Sequence, residues 1–246
     1  MSINYFCSGF DINDAFGHGL GERFKYELKD TKSIVFIPGG INKIEKARDK
    51  YVPIFLEQFR KIGIVFENVN LITLETENPK ELIDNASFVM LMGGDPFSQK
   101  DLCEKLDIIE NLKNYNGILL GMSAGAMLMS KYIIVTPCSE EYPDFHIEEG
   151  LNLSNISIYP HNNFEGNVYP DVLNIGDETY KKSDLIRVAQ EYGDFYLLQD
   201  HFVDVGITNV SLIKTYGNDI EFICEQDGKI FVCSKNGIEL LENKLL

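Results

Sequence analysis

No stretch of this chain holds the roughly eighteen consecutive apolar residues that a membrane-crossing helix needs, so no membrane partner is expected. Positive charge is also scarce. Only 22 Lys and Arg stand against 38 Asp and Glu, a formal net charge of -16. Nucleic acid is held by clustered Lys and Arg, so it is excluded as a partner class, and a general attraction for polyanionic substrates goes with it. The cysteines, Cys7, Cys103, Cys138, Cys224 and Cys233, are odd in number and scattered. No C-x-x-C pair occurs, so neither a disulfide framework nor a zinc site is indicated, and a reducing cytoplasm is the expected compartment. Met1 to Phe10 has no basic stretch followed by a long apolar run and does not read as a signal peptide. H-E-x-x-H, P-loop and dinucleotide fingerprints are missing too, so no metal or organic cofactor is expected.

What is present fits a globular chain. A chain of 246 residues, 44% of them hydrophobic, suits one α/β domain or two small ones, and no repeat or linker divides it. The first two-thirds alternates short apolar runs with amphipathic segments, the pattern of a parallel sheet covered on both faces. Ile34 to Ile37 is a strand that ends at Pro38-Gly39-Gly40. Val52, Phe55, Leu56, Phe59 and Ile62 fall at helical spacing, with Pro53 in an early turn and Gly63 as the stop. A strand near Val69 to Leu74 and a helix from Pro79 follow. Phe88 to Met92 is a buried strand running into Gly93-Gly94-Asp95-Pro96, where Asp95 as N-cap and Pro96 at the first position start a helix through about Leu112. Gly117 to Leu120 is the next strand, and Glu178 to Tyr192 reads as a helix. Beyond Phe195 five short strands are expected: Phe195–Leu198, Val203–Val205, Ser211–Lys214, Ile220–Cys224 and Ile230–Cys233. They read most economically as an antiparallel extension of the same sheet, giving one domain over residues 1–246.

The sharpest feature is Gly121-Met122-Ser123-Ala124-Gly125-Ala126. It matches G-x-S-x-G, with an apolar strand before it and a helix start behind it. A nucleophile on such a turn takes strained backbone angles, and small neighbours let the chain pass closely on either side. The helix that follows points its free N–H groups at the reacting oxygen, so developing negative charge meets the positive end of the dipole. Gly93-Gly94 ends an earlier strand, and in a parallel sheet the strand C-termini share one edge. The N–H groups of Gly94 and Ala124 are therefore the expected oxyanion hole. Of four histidines, His161 is the best base, since it follows the apolar stretch Ile156 to Tyr159 and Pro160 fixes the backbone before it. His146 lies among acids in an expected loop, His18 lies in a Gly-rich polar segment, and His201, after a strand, is the one serious competitor.

Three segments together, G-G-D-P-F (93–97), G-M-S-A-G-A (121–126) and Y-P-H-N-N-F (159–164), resemble the serine peptidases that include dipeptidase E and cyanophycinase. That family is related in fold to class I glutamine amidotransferases, and V-F-I-P (35–38) with the helix after it resembles it as well. The resemblance implies a flavodoxin-like three-layer α/β sandwich with a mainly parallel central sheet. It also implies Ser123 as nucleophile, His161 as base and Gly94 in the oxyanion hole, acting on a small peptide with no cofactor. It leaves room for a homodimer.

Two positions depart from the family pattern. The peptidases carry an acid partway between serine and histidine, where this chain reads Thr136-Pro137-Cys138-Ser139-Glu140-Glu141-Tyr142. Glu140 or Glu141 would fill the role through a small shift, and Glu140 is the residue chosen here, with a Ser-His dyad, an acid from elsewhere such as Asp200, or an inactive site left if neither does. Aspartate-specific dipeptidases carry an arginine after a Glu-Thr pair that opens a helix, whereas Glu178-Thr179 is followed by Tyr180. A substrate carboxylate at Tyr180 loses a bidentate partner, and Lys181 does not replace it. Three competing readings stand beside the peptidase. An α/β-hydrolase esterase would use Ser123, then Asp171 or Glu191, then His201, but lacks an H-G-G-G loop. A glutamine amidotransferase would want cysteine at position 123 and glutamate where Asn163 stands. A non-catalytic relative would keep the turn without the acid.

Overall fold

The computed structural model describes residues 1–241 except 11–14, 18, 138–143, 176–177, 201, 204–205, 208–209 and 226. Its strands are Ile3–Cys7 (β1), Ser33–Gly39 (β2), Asn68–Leu71 (β3), Phe88–Gly94 (β4), Ile118–Met122 (β5), Tyr132–Val135 (β6), His146–Glu149 (β7), Ile158–Asn162 (β8), Val172–Ile175 (β9), Glu178–Lys181 (β10), Phe195–Gln199 (β11), Phe202–Val203 (β12), Gly206–Ile207 (β13), Val210–Tyr216 (β14), Asp219–Glu225 (β15), Ile230–Ser234 (β16) and Gly237–Leu241 (β17). Seven of them form the central sheet, in the order β15-β14-β1-β5-β4-β2-β3. β1 to β5 are mutually parallel, and β14 and β15 extend the β1 edge antiparallel.

Alternation along each strand builds two cores from one sheet. Ile34, Phe36, Phe88, Met90, Ile118 and Leu120 face one side, against Phe24 of the helix Leu20–Glu27 and Phe55 and Phe59 of the helix Val52–Lys61. Val35, Ile37, Val89, Leu91 and Leu119 face the other, against Leu102, Leu112 and Leu128 of the helices Pro96–Lys105, Ile109–Asn114 and Ala124–Met129. Strands buried on both faces must be apolar at every position, which is why they read as unbroken runs. The mixed α/β fold with a large, mainly parallel sheet is the one the sequence leads to.

A second, four-stranded sheet in the order β17-β16-β11-β8 stands beside the first. β8 and β11 run parallel, and the other pairs are antiparallel. Ile158, Leu198 and Ile230 pack into the core beneath the central sheet. Phe195, Leu197, Phe231 and Cys233 turn the other way, onto Leu185, Val188 and Ala189 of the helix Lys182–Tyr192.

Several local expectations change. Of the C-terminal strands, Ser211–Lys214 and Ile220–Cys224 do extend the central sheet, but Phe195–Leu198 and Ile230–Cys233 leave it, because β8 offers β11 a parallel neighbour elsewhere. The helix expected from Glu178 begins only at Lys182; Thr179 and Tyr180, β-favouring residues, pair with Asn174 and Leu173 in a hairpin instead. The helix started by Pro96 stops at Lys105 and restarts at Ile109, broken where Asp107 turns left-handed at φ 53°. The Asp95 cap is as expected, its carboxylate accepting from the Ser98 N–H at 2.6 Å. β1, hidden inside a segment read only for targeting, is a central strand.

Candidate active site

Ser123 follows β5 at the edge where β1, β2, β4 and β5 all end. It opens the helix Ala124–Met129 with φ 53° and ψ -114°, a region that costs a non-glycine residue about 1–3 kcal/mol and persists only where the surroundings impose it. Here they do. The Ser123 N–H donates to the Cys7 carbonyl at the end of β1 at 2.8 Å, and the Ser123 carbonyl accepts from Met127 at 3.0 Å. The flanking glycines permit the approach: a Cβ on Gly121 would run into Ala126 and Met129 of the helix, and one on Gly125 into the Leu91 carbonyl of β4. The Gly93-Gly94 turn lies alongside, with the Cβ position of Gly93 only 3.5 Å from the Ser123 Cβ.

The histidine comes from the second sheet. In the β8–β11 pair Tyr159 faces Leu197 and Asn162 faces Gln199, so Pro160 and His161 together oppose Leu198. This is a β-bulge, which bends a strand and re-aims a side chain. Pro160 fits there because β8 is the edge of its sheet and a bulge needs no ladder N–H. His161 takes φ 64° and presents Nε2 to Ser123 Oγ at 2.7 Å. Asp200, the first residue past β11, reaches His161 Nδ1 with Oδ2 at 2.8 Å. Parallel strands ending side by side put this imidazole and this carboxylate next to each other, and the Asp200 N–H is bonded to the Asn162 carbonyl at 3.2 Å. Asp200 is 1% exposed, whereas the His161 side chain is 34% exposed, so the carboxylate is sealed and the imidazole reaches solvent. An ionised carboxylate only accepts, so Nδ1 carries the ring proton and Nε2 is left to accept from the serine hydroxyl.

The sequence matches the model of Peptidase family S51 over residues 14–203. The chain belongs to peptidase family S51. That makes it a serine-type peptidase, as the resemblance implied. Solved structures agree in fold. One is a peptidase from an acI-B1 Actinobacterium, 18% identical, covering 98% of this chain and 94% of the other with a TM-score of 0.57. Another is a putative peptidase E protein from Listeria monocytogenes EGD-e, 16% identical, covering 92% of this chain and 100% of the other with a TM-score of 0.55. Among curated proteins no match to the sequence is found.

Against this S51 frame, the structure brings Ser123, Ala124, the Gly93-Gly94 turn and His161 together. Glu140, the acid chosen from spacing, lies outside the described residues, as do His18 and His201. The carboxylate that the structure does put on His161 is Asp200, and the signal for it was an apolar strand, Phe195–Leu198, ending in a charged residue. Tyr180 sits half-buried on β10 against the core under the helix Lys182–Tyr192, which also holds Tyr169. His146 is in a strand, β7, rather than a loop. Its Nε2 bonds Glu148 at 2.9 Å, and its ring meets Phe97 edge-on. Together with Lys100 that contact holds the Glu148 carboxyl below its usual range. Asp171 and Glu191, the acids of the esterase reading, are exposed, and so is Asn163, the amidotransferase position. Among the described residues no cluster of three His, Cys, Asp or Glu could hold a metal ion, and no helix is long and apolar enough to cross a membrane.

Proposed function

We propose that this S51 peptidase hydrolyses small peptides through a Ser123–His161–Asp200 triad. The observation that carries the reading is the hydrogen-bonded chain Ser123 Oγ, His161 Nε2, His161 Nδ1, Asp200 Oδ2, with links of 2.7 and 2.8 Å. His161 takes the hydroxyl proton as Ser123 attacks the scissile carbonyl, and then delivers it to the leaving amine. Water, activated by the same imidazole, releases the acyl group. Asp200 fixes the tautomer and stabilises the imidazolium. The N–H of Ala124, first in its helix and so without a partner within it, holds the oxyanion together with the N–H of Gly94 at the end of β4. The four described free cysteines suit a reducing compartment, and the cytoplasm is the one proposed.

The substrate reading follows from charge. An aspartate pocket must offset the desolvation of a carboxylate, which a guanidinium does with two charge-assisted hydrogen bonds. Tyr180 offers one neutral O–H. The four arginines, Arg23, Arg48, Arg60 and Arg187, each pair with a carboxylate of this chain. Peptides with an uncharged or cationic first residue are therefore cut at least as well as Asp-initiated ones.

Two measurements test this. A fluorophosphonate probe should label Ser123 in the wild type and fail to label His161→Ala, because an unassisted hydroxyl is a weak nucleophile. Undiminished labelling of a folded His161→Ala protein defeats the triad. A dipeptide panel varied only at its first residue, read as kcat/KM at fixed salt, tests specificity. An aspartate preference of about tenfold or more, worth about 1.4 kcal/mol, restores the aspartyl dipeptidase reading.

A further inference from the structure

The bulge that aims His161 interrupts the register between β8 and β11, and one side chain bonds the carbonyls around it. Asn162 Nδ2 donates to the Tyr159 carbonyl at 2.8 Å, to the Leu198 carbonyl at 3.3 Å and to the Pro160 carbonyl at 3.4 Å. These are the carbonyls just before the bulge, inside it and opposite it on β11. Asn162 Oδ1 accepts from the Tyr169 hydroxyl at 3.0 Å, which fixes which way round the amide stands. Asn162 is fully buried and Tyr169 is 2% exposed. The Asn162 backbone carbonyl also accepts the N–H of Asp200, so the same residue ties together the strand of the base and the strand of the acid.

We propose that Asn162, held by Tyr169, is the positioning residue of the site: it fastens the Pro160–His161 bulge to β11 and so sets His161 between Ser123 and Asp200. The inference rests on the reading of His161 as the base. It extends that reading to two residues that touch neither the reacting atoms nor the triad side chains. Only a side chain with two N–H donors and an acceptor on one plane meets this set of partners. Leucine of similar size leaves three carbonyls bare, and aspartate turns a lone pair toward them.

The test reads geometry apart from turnover. In the wild type, the His161 Nδ1 proton shared with Asp200 should give a far-downfield resonance in the proton NMR spectrum, assigned by its absence in His161→Gln. Asn162→Ala should lose or shift that resonance and label with the fluorophosphonate about 10²-fold more slowly, the cost of an ångström-scale misplacement. Tyr169→Phe removes one hydroxyl only. It should move the resonance and slow labelling about fivefold. Tyr115→Phe is the control, since it loses a comparable buried bond, to the Ala86 carbonyl at 3.0 Å, far from β8, and should change neither signal. If Asn162→Ala does not fold, Tyr169→Phe decides alone. Wild-type resonance and wild-type labelling in Tyr169→Phe, or the same shifts in Tyr115→Phe, overturn the proposal. Absence of the downfield resonance in a wild-type protein that still labels at Ser123 counts against the His161 geometry itself, and loss of labelling in the wild type counts against the peptidase reading instead.

Discussion

Ser123 and His161 both sit at positive φ, 53° and 64°, yet the two turns are held by different means. The serine turn is held by neighbours in the chain: Gly121, Gly125 and a six-residue helix, resting on β4 and β1. The histidine bulge is held by residues from afar, Leu198 on β11 and Asp200 just past it, with Asn162 and Tyr169 bonded around the bulge. A turn that serves as a rigid mount for a nucleophile can be made of steric fit and backbone hydrogen bonds. One that must aim a ring at two partners at once needs hydrogen bonds with direction.

Breaking the serine side has the largest expected effect. Ser123→Ala should keep the fold and lower kcat about 10⁶-fold by analogy with established serine triads. A folded variant with wild-type turnover would eliminate the elbow as the catalytic centre. On the other side, Asp200→Asn should keep the geometry but present the wrong tautomer, and kcat should fall about 10⁴-fold with KM nearly unchanged. Glu140→Gln, measured in parallel, should stay within a few-fold of wild type. The reverse ranking would return the role of acid to Glu140. The smallest effect sharpens the comparison through stability. Gly125→Ala gains helix propensity but drives a Cβ into the Leu91 carbonyl, so about 2 kcal/mol should be lost, a fall in Tm of about 4–8 °C. A Tm equal to or above that of the wild type would show that the helix can shift off β4, and that steric fit is not what holds the serine turn.

The two sides also differ in how far the sequence displays them. The elbow is contiguous, so its strand, its strained serine and its helix start all appear within six residues. His161 shows itself by following an apolar run and a proline, and by the family likeness of the residues around it. Asp200 does not, because nothing near it in the chain mentions His161; 39 residues separate them. Counting between serine and histidine does not reach it, since the carboxylate that meets the imidazole comes after the histidine, at the end of the parallel neighbour of its strand. Thr179-Tyr180 misled in another way. A helical pattern downstream was extended back over residues whose cross-strand partners in β9 are themselves only five and seven residues distant.

The sequence by itself determined the alternating α/β pattern, the two-faced apolar strands, the capped helix after Asp95 and the nucleophile turn. Each of these is a property of neighbours along the chain or of one period of burial. Which strands leave the central sheet, where the bulge falls and which carboxylate meets the imidazole were decided by tertiary structure. The reason is the pairing of β8 with β11: a register between two distant strands depends on the packing of both against the same core, and no local spacing records it.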